Sequence, residues 1–275
     1  MELTIRPSSK LSLNLRELWQ HRELLYFFTW RDVKVKYKQT ALGVIWVVLQ
    51  PLLLVTTLVL FFHKGLKAPT GGMPPALFYL SGLLLWNLFG AGLNGAANSL
   101  VEQANLLKKV YFPRIFLPVS SIMAALVDFL MVCLMFACAL TYFAFQGVPV
   151  NWWMLLWTFP FGMLLTLIST VGIGLLLASL NVQYRDFRYL LPFALQFLFF
   201  LTPVVYPLHL MENEGMKLIL GLNPMTGVMS LARAPFVEGS LDWGVITIGV
   251  STACLILLTG LYTFRSMEAY FADLV

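Results

Sequence analysis

The sequence predicts an all-α polytopic membrane protein with six transmembrane helices, and three observations carry that expectation. Hydrophobic residues make up 59% of the 275 and charged residues only 11%, whereas a soluble domain carries roughly 25% charged residues. Lipid must therefore replace water over much of the surface. Six apolar stretches, 41–62, 77–98, 115–145, 152–180, 189–207 and 243–264, reach or approach the about 20 residues that cross a ~30 Å hydrocarbon core. Lys and Arg are also unevenly shared between the two sides that six crossings define. Fourteen fall on the side of both termini and four on the other, so both termini are expected in the cytoplasm.

Taken in order, residues 1–40 form a cytoplasmic N-terminal segment, 41–265 a six-span transmembrane domain and 266–275 a cytoplasmic tail. The start does not read as a secretory signal, because forty mostly polar or amphipathic residues precede the first span without a small-residue cleavage site after it. Leu11, Leu15, Leu18, Trp19, Leu25 and Tyr26 recur at helical spacing opposite Arg16, Glu17, Gln20, Arg22 and Glu23. That pattern predicts an amphipathic helix at the membrane interface. Residues 24–30, LLYFFTW, are apolar all round and are expected to dip deeper. A basic collar follows, Arg31, Lys34, Lys36 and Lys38, whose stems can lie in lipid while the charges snorkel.

The first span carries Gln50-Pro51, and proline removes one helical hydrogen bond and crowds the preceding turn. Two readings stay open, a span loosened for movement and a static kink. Loop 63–76 is a Pro/Gly turn segment on the outside. The second span holds GAGLNGAANS from Gly90 to Ser99, and the fourth Ser169, Gly172, Gly174 and Ala178, small residues that let helix backbones approach. The third and fourth spans exceed one crossing, so they are expected to tilt or to reach the interface. Before the third span and after the fourth, the chain offers two charged cytoplasmic segments, 98–114 with a short surface helix stopped by Pro113, and 181–188. After Pro203 and Pro207, two short apolar stretches separated by Asn223-Pro224 predict a re-entrant helical hairpin at the outer face. Such a hairpin is tolerable only where it packs against protein or lines water.

Reactive constellations are missing. No GxxxxGK[ST] phosphate loop, HExxH pair or GxSxG elbow occurs, His21, His63 and His209 are scattered, and Cys133, Cys138 and Cys254 lie inside spans. The only ionisable acid or base within a span is Asp128. An intramembrane carboxylate is a functional candidate by default, and hydrogen bonding to a neighbouring helix is its plain structural alternative. With no intramembrane base to partner it, it makes a poor proton relay and a poor hydrolase. The charged cytoplasmic segments then read as a docking surface for a soluble partner that supplies the energy.

Five phrases carry a resemblance over essentially the whole chain: RDVKVKYKQTALGVIWVVLQPL, NLLKKVYFPRIFLPVSS, NVQYRDFRYLLPFALQFLFFLTPVVYP, LNPMTGVMSLAR and FRSMEAYFADLV. Together they resemble the permease subunit of polysaccharide-export ABC transporters of the type-2 exporter family, which move lipid-linked O-antigen (of lipopolysaccharide), capsule or teichoic acid chains. The resemblance implies a homodimer in a bacterial cytoplasmic (inner) membrane, joined to two ATP-binding ABC subunits through short coupling helices. It implies no cofactor in this chain, with ATP and Mg bound by the partner, and no nucleic acid. Ser99–Tyr111 matches the first coupling helix and Asn181–Arg188 the second. Glu102, Gln103, Lys108, Lys109, Tyr184, Arg185 and Asp186 are then candidates for coupling to the ATPase.

For a cargo on an undecaprenyl pyrophosphate carrier, Arg31, Lys34, Lys36 and Lys38 are candidates for the pyrophosphate, the alternative being that they only fix topology. Trp46, Phe61, Phe62, Tyr79, Trp86, Phe197, Phe199 and Phe200 are candidates for a glycan path, against the alternative of belt or packing residues. Teichoic acid, capsule or drug export by the same architecture remains open, as does a membrane enzyme acting on lipid-linked sugars.

Overall fold

The structure is a computed structural model that describes residues 15–38, 43–110, 112–237 and 241–271. Leu11, Tyr111, Glu238, the first two residues of the first expected span and the end of the tail lie outside them. The described residues form helices and turns, with no strand. In chain order these are α1 (Leu15–Gln20), α2 (Arg22–Lys38), α3 (Gly43–Leu58), α4 (Pro75–Glu102), α5 (Ala104–Lys109), α6 (Phe116–Phe145), α7 (Trp152–Gln183), α8 (Phe187–Leu201), α9 (Glu214–Gly221), α10 (Pro224–Arg233) and α11 (Trp243–Met267). Beyond Leu58, α3 continues as a wider π-helical turn, Val59–Gly65.

Helix α4 is the axis of the bundle. Pro75 opens it at its first turn, where a missing N–H costs nothing, and 78% of its apolar window is buried. It packs against α6, α7, α10, α3 and α8. Only 11% of the window on α3 is covered by the rest of the chain, so α3 is a peripheral helix. Helices α7 and α11 cross with their backbones almost touching at Gly172 and Gly260. A Cβ on Gly260 would lie 2.1 Å from the Gly172 carbonyl oxygen, and one on Gly172 would lie 2.7 Å from the Leu257 nitrogen. Glycine is required at that crossing.

Among the described residues five helices are long and apolar enough to cross a membrane, and they match five of the six expected spans. The fifth expected span, 189–207, differs. Helix α8 has 15 residues, about 22 Å at 1.5 Å per residue, and it ends before Pro203. Proline offers no N–H to continue the ladder, and the segment from Thr202 to Val205 is buried as turns.

Helices α9 and α10 form the expected hairpin. Asn213 and Asn223 cap them, their side-chain oxygens accepting from the Met216 and Met225 N–H groups. Every residue of α10 is buried, wedged among α4, α7 and α11. Its ten residues span about 15 Å, half a hydrocarbon core.

The Gly172–Gly260 crossing yields a direct expectation. Gly260→Ala forces an overpacked contact that costs ~1–3 kcal/mol, and it should lower the thermal unfolding temperature in detergent micelles. Gly90→Ala, where a Cβ meets nothing within 4 Å, should leave it unchanged. Equal melting of the two variants would remove the crossing.

Candidate functional site

The collar is helical and does not stop at the surface. Helix α2 packs along α6, starting in an apolar cluster at the end of the bundle that also carries α5. There Phe28 is buried, 5.2 Å from the Phe112 ring, among Leu107, Phe116, Val182 and Phe264. One turn on, Asp32 accepts a hydrogen bond from the Ser120 hydroxyl on α6 at 3.2 Å and pairs with Arg31 at 2.8 Å. Arg31 also donates to the Gln103 side chain at 2.9 Å, at the junction of α4 and α5. A further turn on, Lys36 and Tyr37 both donate to the carboxylate of Asp128. Burial, and then the Asp128 carboxylate, push the Tyr37 phenol above its usual range.

Asp128 therefore has a basic partner, contrary to the sequence expectation. It stands about 18 Å along α6 from Phe116, at 1.5 Å per residue. A collar that snorkels to the surface would leave Lys36 short of that depth; a helix that climbs α6 carries it there. Its carboxylate is largely buried while the Lys36 side chain is half exposed, which suits an ammonium at the mouth of a cavity. Of the four collar residues, Arg31 and Lys36 are engaged within the chain. Lys34 and Lys38 are exposed, and no side-chain hydrogen bond joins either to another described residue.

Lys36, Tyr37 and Asp128 close one end of a cavity of about 580 Å³ between α3, α4 and α6. Trp46 and Trp86 line it. Trp86 is mostly buried, its ring 5.5 Å from Phe89 and 5.6 Å from Phe199. Tyr79 is fully buried in the core under α10, away from that cavity, whereas Phe61, Phe197 and Phe200 are exposed on the outside of the chain. Phe62 and Phe199 are partly buried against the core. The eight aromatic candidates are thus not brought to one surface.

The two charged segments share one end of the bundle. Helices α4 and α7 run in the same direction there, and Asn181 near the end of α7 donates to the Ala97 carbonyl oxygen on α4 at 2.9 Å. Glu102, Lys108 and Lys109 are exposed around the short α5, and Gln103 is half-buried. Tyr184, Arg185 and Asp186 are exposed as well, but they form a three-residue turn. Helix α7 runs to Gln183 and α8 begins at Phe187, so the second expected coupling helix is a turn, with Tyr184 in an extended conformation.

At the opposite end, Arg233 on α10 is buried and donates to the carbonyl oxygens of Pro203 at 2.6 Å, Val204 at 2.7 Å and Tyr206 at 3.2 Å. Its guanidinium also lies 3.7 Å from the Phe78 ring centre. His209 sits over Gly71, whose positive φ and missing Cβ leave room for the ring. Burial, then Arg233 and Lys217, lower the His209 pKa. Sequence reasoning passed over Asp32, Tyr37, Ser120 and Arg233 as functional residues. The one signal for Arg233 was a single charge at the end of the otherwise uncharged stretch after Asn223-Pro224. Among the described residues no group of three His, Cys, Asp or Glu is arranged to hold a metal ion.

Residues 23–237 match the family described as ABC-2 type transporter. The O-antigen export system permease protein RfbA of Myxococcus xanthus is 32% identical over 94% of this chain and 98% of its own length. A protein of the same description from Klebsiella pneumoniae is 27% identical over 98% of this chain and its full length. The polysialic acid transport protein KpsM of Escherichia coli is 24% identical over 86% of this chain and 91% of its own.

The pairing of α2 with α6 is testable by charge exchange. Asp128→Ala removes an acceptor from two donors, and hydrogen bonds to charged groups contribute ~1.5–3 kcal/mol, so unfolding in detergent should come at lower temperature. Tyr37→Phe should show a smaller loss. Lys36→Asp combined with Asp128→Lys should recover part of the loss seen in either single exchange. A double variant no better than the singles would show that the two side chains do not meet.

Proposed function

The chain belongs to the ABC-2 type transporter family, and we propose that the cargo it exports is a lipid-linked polysaccharide, in the first instance an O-antigen chain. It is a multi-pass membrane subunit of a transporter and not an enzyme, and ATP hydrolysis belongs to a separate ATP-binding subunit. The observation that carries the cargo assignment is end-to-end likeness to permeases of O-antigen export systems, at 32% and 27% identity. Likeness to a polysialic acid transporter is lower and covers less of the chain, which favours O-antigen over capsule.

In this reading the protein lies in the bacterial inner membrane with the α5 end in the cytoplasm, as the Lys and Arg distribution favours. The exposed charges around α5 and the 184–186 turn dock the ATP-binding subunits, which hold ATP and Mg. Two copies of the chain form the path. The sparse covering of α3 and the exposed Tyr189, Phe193, Phe197 and Phe200 on α8 supply apolar surface for a second copy. Lys34 and Lys38, the collar residues with no side-chain bond to another described residue, meet the carrier pyrophosphate. Arg31 and Lys36 hold α2 in place.

Cells lacking their own O-antigen export permease test the cargo. Supplied with this chain and its ATP-binding partner, they should display surface O-antigen again; intact assembly without surface glycan would overturn the assignment. In purified complex, Lys34→Gln or Lys38→Gln removes a charge-assisted hydrogen bond of ~1.5–3 kcal/mol. The lipid-linked glycan needed for half-maximal ATPase should then rise about tenfold. Lys36→Gln should instead lower stability. Unchanged half-saturation in both Lys34 and Lys38 variants would return the collar to topology. Reversing Arg185 and Asp186 together should leave membrane insertion intact and abolish cargo-stimulated ATPase; normal export by that variant would remove the turn from the docking surface.

A further inference from the structure

The cavity beside Asp128 receives one stripe of side chains from each of three spans. On α3 the lining residues are Gly43, Trp46, Val47, Gln50, Pro51 and Leu54, spaced three and four apart along a single helix face. On α4, Asn87, Gly90, Ala91 and Asn94 repeat the spacing, with Leu84, Trp86 and Leu88 beside them, and on α6 Ala125, Asp128, Phe129 and Val132 repeat it again. Each stripe is apolar or small except for one amide on α3, two on α4 and one acid on α6. Gln50, Asn87, Asn94 and Asp128 therefore converge on one space from three helices.

The three carboxamides have no hydrogen-bond partner among the described residues, and none of them is sealed in the protein interior. A carboxamide at membrane depth is costly unless protein, water or ligand answers it. Three on one cavity wall mark a space built for a polar occupant. The charges say which kind. Lys36 and Asp128 neutralise each other, so the wall carries polarity without net charge. Trp46, half exposed, presents an apolar ring, and Trp86 stands fixed against Phe89 and Phe199. Amides that both donate and accept fit vicinal hydroxyl groups, and indole faces fit the C–H face of a saturated ring.

We propose that this cavity, within a single protomer, binds a neutral hexopyranose unit of the cargo, held by Gln50, Asn87 and Asn94 and stacked on Trp46. The proposal rests on the polysaccharide-export reading and adds a sugar subsite to it. Gln50 lies beside Pro51, where the ladder of α3 lacks one bond, so the peripheral helix carries a binding group at its softest point.

The test uses the complex with its ATP-binding subunit in vesicles, in a chain with Cys133, Cys138 and Cys254 replaced by alanine and carrying Gly90→Cys, at a lining position where a Cβ meets nothing within 4 Å. A membrane-permeant maleimide reports access, and Ala91→Cys, also on the cavity wall, serves as a second reporter should the first fail to assemble. Lipid-linked oligosaccharide from the exporting strain, at roughly four times its Kd, should slow labelling about fivefold, while sugar-free polyprenyl pyrophosphate should not. Equal protection by the sugar-free carrier would assign the cavity to a headgroup and overturn the proposal. So would a cysteine that is unreactive before any ligand is added, because a second copy would then fill the space. Unprotected labelling in vesicles whose wild-type complex exports glycan would overturn the subsite and leave the transport reading standing. Absence of export by the wild type would instead fail that reading itself. Independently, Asn87→Leu should raise the glycan needed for half-maximal ATPase about fivefold.

Discussion

In hydrocarbon every backbone N–H and C=O must find its partner inside the protein, and this fold meets the demand at its weakest point through one guanidinium. Where α8 stops at Leu201, the chain turns for six buried or half-buried residues without a helical ladder. The Leu201 oxygen is answered by the Tyr206 hydroxyl, the Thr202 oxygen by the Val204 N–H, and those of Pro203, Val204 and Tyr206 by Arg233. Asn223 ties the cap of α10 to the Thr202 hydroxyl at 2.7 Å. The broken span and the half-length hairpin are thus one unit, neither satisfied without the other. Arg233 stacks on Phe78 of α4, so the central helix is fixed to the same unit.

The other end depends on acids in place of an arginine. Asp32 and Asp128 tie α2 to α6, and Arg31 extends the connection to Gln103 where α5 begins. A helix with Phe28 turned inward and Tyr26, Phe27 and Trp30 turned outward has no clean polar face to float on a bilayer surface. It belongs partly in the bundle. The segment that docks the ATP-binding subunit in our reading is thereby one side-chain contact from the helix that closes the cavity.

The coarse fold was legible because its signals are local. Runs of twenty apolar residues, Pro75 at a helix start and Asn223-Pro224 at a hairpin turn each act within a few positions of themselves. Five spans, the hairpin and α5 follow from such signals. The shortened α8 was half legible, since Pro203 announced a stop that the apolar run 189–207 seemed to overrule. What stayed hidden is long-range. Lys36 and Asp128 are separated by 91 intervening residues, and no periodicity links them. The convergence of the four polar groups around the cavity was hidden for the same reason: Gln50 and Asp128 stood out singly, each in its own span, and only packing makes them neighbours of Asn87 and Asn94. Aromatic candidates failed to converge because composition names ring-bearing residues without saying which face of a helix they occupy.

The complete burial of α10 constrains the order in which the molecule is built. A helix too short to span and covered by protein all round has no stable resting place in bare lipid. Its neighbours α4 and α7 precede it in the chain, but α11 is synthesised after it. Seating the hairpin must therefore wait for the final helix, and closure of that end becomes a late, concerted event of biogenesis. A nascent chain arrested before Trp243 would hold a half-length helix whose α11-facing side has nothing to cover it.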